Sequence, residues 1–284
     1  MKTKLILMLI IIFIIVLPIS IVSYAENNES LSVDTKGHWA EDTVSRWSQY
    51  GILKGSGGNL LPDEIITRAQ LASVLNKLLR YPKVEKNPYV DVKPKDWFYD
   101  DMLAMSIRGI VRTVDGKGGP NELLVREEAV YMIAHAIGID YIKRWDWSGI
   151  KMLDKFKISK YAQNSVFNME MAGFIQVAPD GRFYPMENIT CAEVITIIDH
   201  TIDMLICEPG EYKCGDGGII VIACGNVNIT DLNARYVFIT PGIKLDRVDI
   251  DSKTRKAISR VIIIGWSANN IYLARVSQLH DIIS

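Results

Sequence analysis

The chain has 284 residues, with 32 lysines and arginines against 33 aspartates and glutamates and a formal net charge of −1. That balance argues against a nucleic-acid partner, which would need a basic footprint. The hydrophobic share of 49% is raised by one N-terminal run and does not imply a membrane protein.

Lys2 and Lys4 precede an apolar run from Leu5 to Leu17, which Pro18 interrupts. Ser23-Tyr24-Ala25 then sets small residues at the −3 and −1 positions of a signal-peptidase site. Residues 1–25 are expected to be a signal peptide, the alternative being an uncleaved anchor, since Leu5 to Val22 is nearly long enough to span a bilayer. Only in that second case does the chain engage a membrane. Either way the rest lies outside the cytoplasm. Cleavage removes Lys2 and Lys4 and takes the net charge from −1 to −3.

The next part repeats itself. Trp39, Gly51, Pro62 and Arg68 fall at steps of 12, 11 and 6 residues, and Trp97, Gly109, Pro120 and Arg126 repeat those steps. A weaker third copy sets Tyr161, Gly173, Pro185 and Cys191 at 12, 12 and 6. In the first copy a short helix opens at His38-Trp39-Ala40, buries Val44 and Trp47, and stops at Gly51, a left-handed cap. His38 reads as a turn or packing residue. A loop with Gly55 leads to Thr67, after which Leu71, Val74, Leu75 and Leu78 follow the i, i+3, i+4, i+7 pattern of a core-facing helix. Ala129, Val130, Ile133 and Ile137 repeat that stripe, as do Val194, Ile195, Ile198 and Ile202. One such unit has too little core to stand alone, so three are expected to pack their long helices into a bundle, over residues 31–82, 88–141 and 146–206.

From residue 207 the composition changes. "CEPGEYKCGDGG" is a Pro/Gly-rich boundary, and Val227, Ile229, Val237, Ile239, Leu245, Val248 and Ile250 then take strand-like spacing, continued at "VIIIG" and "NNIYLARV". A small all-β module over 207–284 is expected, a β-solenoid or else a β-sandwich. Asp246, Asp249 and Asp251 read as a solvated strand face, although the cluster resembles those of polysaccharide lyases; His280 has no evident partner. Cys191, Cys207, Cys214 and Cys224 lack metal-ligand spacing, so no metal or cofactor is expected. They leave one or two disulfides and free buried thiols equally open.

The residues flanking the long helices carry the chemistry. Thr67 with Gln70, and Thr190 with Glu193, have capping-box spacing; Val125 lacks the hydroxyl, leaving only Glu128 of that pair. Arg68 and Arg126 oppose the positive end of a helix dipole, and capping does not require them. An arginine beside free helical amides suits a carboxylate or phosphate. The alternative is a local salt bridge, from Arg68 to Asp63 or Glu64 for example.

With "TRAQ" at Arg68, "VREE" at Arg126 and the three spaced copies, residues 31–206 resemble the S-layer homology repeat of bacterial surface proteins. The resemblance implies a mostly α pseudo-threefold spindle with a prong from each repeat. It also implies non-covalent binding of an acidic, often pyruvylated, secondary cell-wall polysaccharide attached to peptidoglycan, with self-association at the cell surface possible. Carried over by position, the first groove uses Arg68 with Asp34, Trp39 and Gly55, and the second uses Arg126 with Asp91 and Trp97. Thr113 replaces the loop glycine of the second. The tryptophans serve either as sugar-stacking faces or as prong core. In the third copy Cys191 replaces the arginine and Tyr161 the tryptophan, so that groove is expected to be weak. The expected function is wall anchoring without catalysis; the alternative is an anchored carbohydrate-active enzyme with its activity in the tail or a partner.

Overall fold

The structure, a computed structural model, describes residues 33–53, 55, 57–141, 147–213, 218–230, 236–240, 243, 248–250, 260–264 and 271–274. The expectations for residues 1–25 and for Cys214, Leu245, Asp246, Asp251 and His280 lie outside that set, and of Asp249 the backbone alone is described. Helices dominate the first part: α1 (Glu41–Gln49), α2 (Arg68–Leu79), α3 (Tyr99–Met105), α4 (Arg126–Ala136), α5 (Lys160–Met171) and α6 (Cys191–Thr201). Short strands follow: β1 (Ile202–Ile206), β2 (Gly210–Tyr212), β3 (Ile219–Ile222), β4 (Val227–Ile229), β5 (Tyr236–Ile239), β6 (Val248–Ile250), β7 (Arg260–Ile264) and β8 (Ile271–Ala274). Among the described residues no helix is long and apolar enough to cross a membrane.

Local chemistry sets the helix ends. At α2 and α6 both capping boxes form: the threonine hydroxyl accepts the amide of Gln70 or Glu193, and that side chain accepts the threonine amide. Helix α4 starts at Val125 with no side-chain cap. Gly51 and Gly173 follow the C-caps of α1 and α5 at φ of 69° and 76°, and Gly109 ends the short 3-10 turn after α3 at 69°, a region where a side chain would be strained. The α2 stripe is buried, with Leu71, Leu75 and Leu78 at most 1% exposed, and Ala129, Val130, Ile133, Val194, Ile195 and Ile198 match it. Each such leucine or isoleucine stabilises the fold by about 1.5–3 kcal/mol. Ile202 departs from its expected place on the α6 stripe. The helix ends at Thr201, and Ile202 opens β1 instead, because it pairs in a sheet with Ile219.

The helices pack in a circuit. Helix α2 lies against α3, α4 against α5, and α6 against α1, so each long helix rests on the first helix of the next segment and the last rests on the first. Trp47, 1% exposed, ties the final contact by donating its indole N–H to Asp199 at 2.7 Å. Backbone bonds close the same circuit: Ile66 donates to Ile189, Ile189 to Leu124, and Leu124 to Ile66, at 3.0–3.1 Å.

Beyond α6, strands β1 to β7 alternate between two sheets, and β8 joins the sheet of β7. One has the order β1-β3-β5-β7-β8 and the other β2-β4-β6; all pairs are parallel except β7 with β8. Strand β2 was not legible within the Pro/Gly-rich boundary, nor β3 just after it. Buried on both faces, β3 and β5 read as unbroken apolar runs. Ile219, Val221, Tyr236 and Phe238 join the helical core, whereas Ile220, Ile222, Val237 and Ile239 form a second one with Val227 and Ile229. Arg80 fastens the two parts by donating from Nη1 to the Ala223 carbonyl at 2.7 Å.

Candidate functional site: the junctions at the long-helix starts

Each long helix begins against the loop of the next segment. The amides of Arg68 and Ala69 donate to the carbonyls of Glu122 and Pro120, those of Arg126 and Glu127 to Glu187 and Pro185, and those of Cys191 and Ala192 to Glu64 and Pro62. This corrects the expectation of free helical amides at Arg68 and Arg126. The first amides of all three helices are already engaged, so an anion here must be held by side chains.

The two arginines differ in what surrounds them. All three nitrogens of Arg68 are bonded: Nε to Glu128 at 2.7 Å, Nη1 to the carbonyls of Gly118 and Gly119 at 2.9 Å each, and Nη2 to Glu122 at 2.8 Å. Its side chain is 12% exposed. Burial opposes its charge, but bonds and attraction from Glu128 and then Glu122 outweigh that and hold its pKa above the ordinary range. The local salt bridge to Asp63 or Glu64 is therefore corrected: the partners belong to the next segment. Helix α4 has no side-chain cap at Val125, and the carboxylate of Glu128 bonds Arg68. Gly119 is required as well, because a Cβ there would meet Arg68 Nη1 at 2.0 Å.

Arg126 is less engaged. Its Nη2 donates to Glu193 at 2.6 Å through Oε1, while Oε2 of the same glutamate completes the α6 capping box by accepting the Thr190 amide at 2.9 Å. Arg126 Nε is buried with no hydrogen-bond partner. At the third junction Cys191 carries no charge: burial pushes its thiol up to about 11, and it is a free thiol, as are Cys207 and Cys224. The position that supplies Glu128 and Glu193 at the other junctions is held in α2 by neutral Gln70.

The remaining expected residues sort into loop builders and exposed faces. Both carboxylate oxygens of Asp34 accept loop amides, from Leu60 at 3.2 Å and Leu61 at 2.7 Å; Asp91 accepts Gly118 and Gly119 at 2.8 Å each. Burial would raise the pKa of Asp91, but those two amides outweigh it, so its carboxyl titrates below the usual range. Asp154, which sequence reasoning passed over, does the same for Phe183 and Tyr184; its signal was the Leu-Asp pair near the start of the third segment, where the first two have Val-Asp. Gly55 lies against its own loop, where a Cβ would meet the Asn59 carbonyl oxygen at 1.9 Å. Trp39 and Trp97 are 65% and 67% exposed, so the prong-core alternative fails for both. Tyr161 is not their counterpart in place: each tryptophan stands two residues before its helix, whereas Tyr161 is the second residue of α5. His38 is a turn residue, its Nδ1 accepting the Ala40 amide at 3.1 Å.

Between the first two segments these side chains leave a pocket of about 220 Å³, lined by Arg68, Arg112, Lys117, Asp115, Glu122 and Glu128 with Val114 and Gly119. Of the expected ligand-binding residues it contains Arg68 alone. Among the described residues no group of three or more His, Cys, Asp or Glu side chains is placed to hold a metal ion.

Comparison with known proteins gives these junctions a context. Residues 33–72 match the family model of the S-layer homology domain. An amylopullulanase of Thermoanaerobacterium thermosulfurigenes is 30% identical over 170 residues, 58% of this chain and 9% of that protein. The surface-layer 125 kDa protein of Lysinibacillus sphaericus is 28% identical over 104 residues, 36% of this chain and 9% of its own length. The middle cell wall protein of Brevibacillus brevis is 32% identical over 114 residues, covering 38% and 11%. The chain thus matches only a small part of each of these proteins, and carries one matched S-layer homology domain with relatives that include surface-layer and wall proteins.

Proposed function

We propose that this chain is an exported protein that attaches non-covalently to the bacterial cell wall by binding an acidic secondary wall polysaccharide at the junctions between its helical segments. The S-layer homology match and the surface-layer and wall proteins among the relatives support a secreted, wall-associated location. The observation that carries the binding reading is Arg126. Its side chain is 21% exposed and bonded by Glu193, with Nε still unpartnered, so its guanidinium has donor capacity left for a carboxylate arriving from outside. On this reading the acid is a sugar-borne one such as ketal-linked pyruvate, and the exposed indoles of Trp39 and Trp97 offer faces to the sugar rings. Asp34 and Asp91 act on the ligand indirectly, by holding the loops that shape the grooves.

The three segments are read as tandem copies of one helix–loop–helix unit about a pseudo-threefold axis. The closed ring of Ile66, Leu124 and Ile189 and the circular packing of the six helices support that reading. The alternating parallel strands of the tail are read as coils of a β-solenoid that extends the anchor, with a role in display or assembly and no catalysis.

Sedimentation with purified wall sacculi tests the proposal. The chain is expected to co-sediment with untreated walls and to stay in solution when the secondary polysaccharide has been stripped. Equal sedimentation with both would reject polysaccharide binding.

A further inference from the structure

Three cations border the pocket between the first two segments, and they are not equivalent. Arg68 is closed: its nitrogens hold Glu122, Glu128 and two loop carbonyls, so a ligand acid would have to displace a carboxylate already in place. Lys117 is exposed at the rim. Arg112 is the third. Its guanidinium carbon sits 3.7 Å from the ring centroid of Tyr161, a stacked arrangement, and it is half-buried. Among the described residues no carboxylate or carbonyl engages its N–H groups.

A stacked guanidinium is preorganised. The ring takes one face of the plane, while the five N–H donors lie in the plane and remain available for a bidentate acid. The support is itself fixed, because Tyr161 lies within α5 and packs edge-on against Tyr131 at 5.4 Å. Burial and then the neighbouring Glu127 and Glu128 push the Tyr161 phenol well above its ordinary range, so the ring under Arg112 stays neutral at physiological pH. The lining is balanced in charge, with Arg68, Arg112 and Lys117 against Asp115, Glu122 and Glu128; because both glutamates are tied to Arg68, the donors of Arg112 are the ones left for an incoming acid.

We propose that Arg112, held on the face of Tyr161, is the anion-binding residue of this pocket and takes the carboxylate or phosphate of an acidic polymer, with Lys117 as a second cation and Arg68 as the framework beneath. Tyr161, which stands off the tryptophan position, thereby acquires a use. It builds the shelf for an arginine of the second segment. The proposal rests on the wall-binding reading for the natural polymer, but not for the anion site.

Two measurements on the full exported chain separate the two readings. In the first, arginine Nε–Hε signals are followed by NMR while inorganic phosphate, or separately the methyl glycoside of a pyruvylated hexosamine, is added. The Arg112 signal is expected to move with a saturable curve and the Arg68 signal to stay. Followed by isothermal titration calorimetry with the same two ligands, Arg112→Ala weakens the titration about ten-fold, the loss of one charge-assisted acid contact. Tyr161→Leu weakens it about three-fold, the scale of a partly exposed cation–π contact. Movement of Arg68 instead of Arg112, or an unchanged curve in Arg112→Ala, overturns the proposal. Saturation by phosphate alone assigns the acid to a phosphate polymer, and by the glycoside alone to a pyruvylated one. In the second, Arg112→Ala is sedimented with wall sacculi. If the wild-type chain titrates but never sediments, the wall reading fails and the anion site stands.

Discussion

At the first junction an arginine meets two carboxylates and two loop carbonyls; at the second it meets one carboxylate and keeps a buried N–H without a partner. The two arginines share a sequence landmark, a helix position and a backbone setting. Each takes one glutamate oxygen from the following segment, Glu128 Oε1 or Glu193 Oε1. What differs is the loop: Glu122 and the carbonyls of Gly118 and Gly119 close on Arg68 as well. The same residue at the same landmark is thus structural in one place and more open in the other.

That comparison is broken most forcefully at Arg68. Arg68→Ala leaves Glu128 and two loop carbonyls unpaired in a largely buried setting and is expected to cost about 3 kcal/mol, read as a lowered urea midpoint. Arg126→Ala, with one partner to lose, is expected to cost about 1 kcal/mol on the same scale. Equal losses would show that the two junctions are alike after all. Asp154→Ala comes next, at about 2 kcal/mol, because its carboxylate holds two loop amides while only 3% exposed.

A pH titration sharpens the first junction further. The folded pKa of Asp91 is depressed, so its stabilising contribution is present above the ordinary carboxylate pKa and is lost as the pH falls through the lower folded value. Asp91→Asn should therefore flatten the acid limb of the stability curve below about pH 4, and an unchanged limb would remove Asp91 from the account. The smallest effect is expected where charge is missing. Cys191→Arg combined with Gln70→Glu installs at the third junction the pair found at the other two, and should raise stability by about 0.5 kcal/mol beyond the sum of the single changes, measured as a double-mutant cycle.

The repeat landmarks, both capping boxes, the buried stripes and the glycine stops were legible because each depends on residues within one or two helical turns. The partners of Arg68 were not, since Glu122 and Glu128 reach it only when one segment docks on the next. Arg112 was illegible for the same reason: its meaning comes from Tyr161, 49 positions on, and spacing alone presented Tyr161 as a failed tryptophan. The tail was half legible. Strand-like spacing after residue 226 revealed β4, β5 and β6, but β2 sits in a Pro/Gly-rich stretch and β3 directly follows it.

On the wall-binding reading the open arginine, and not the saturated one, holds the wall. Its most direct test is the affinity of Arg126→Ala for wall sacculi, compared with the wild-type chain and with Cys191→Ala. The account predicts about a ten-fold weaker affinity for Arg126→Ala and no change for Cys191→Ala. Wild-type affinity in Arg126→Ala would contradict it.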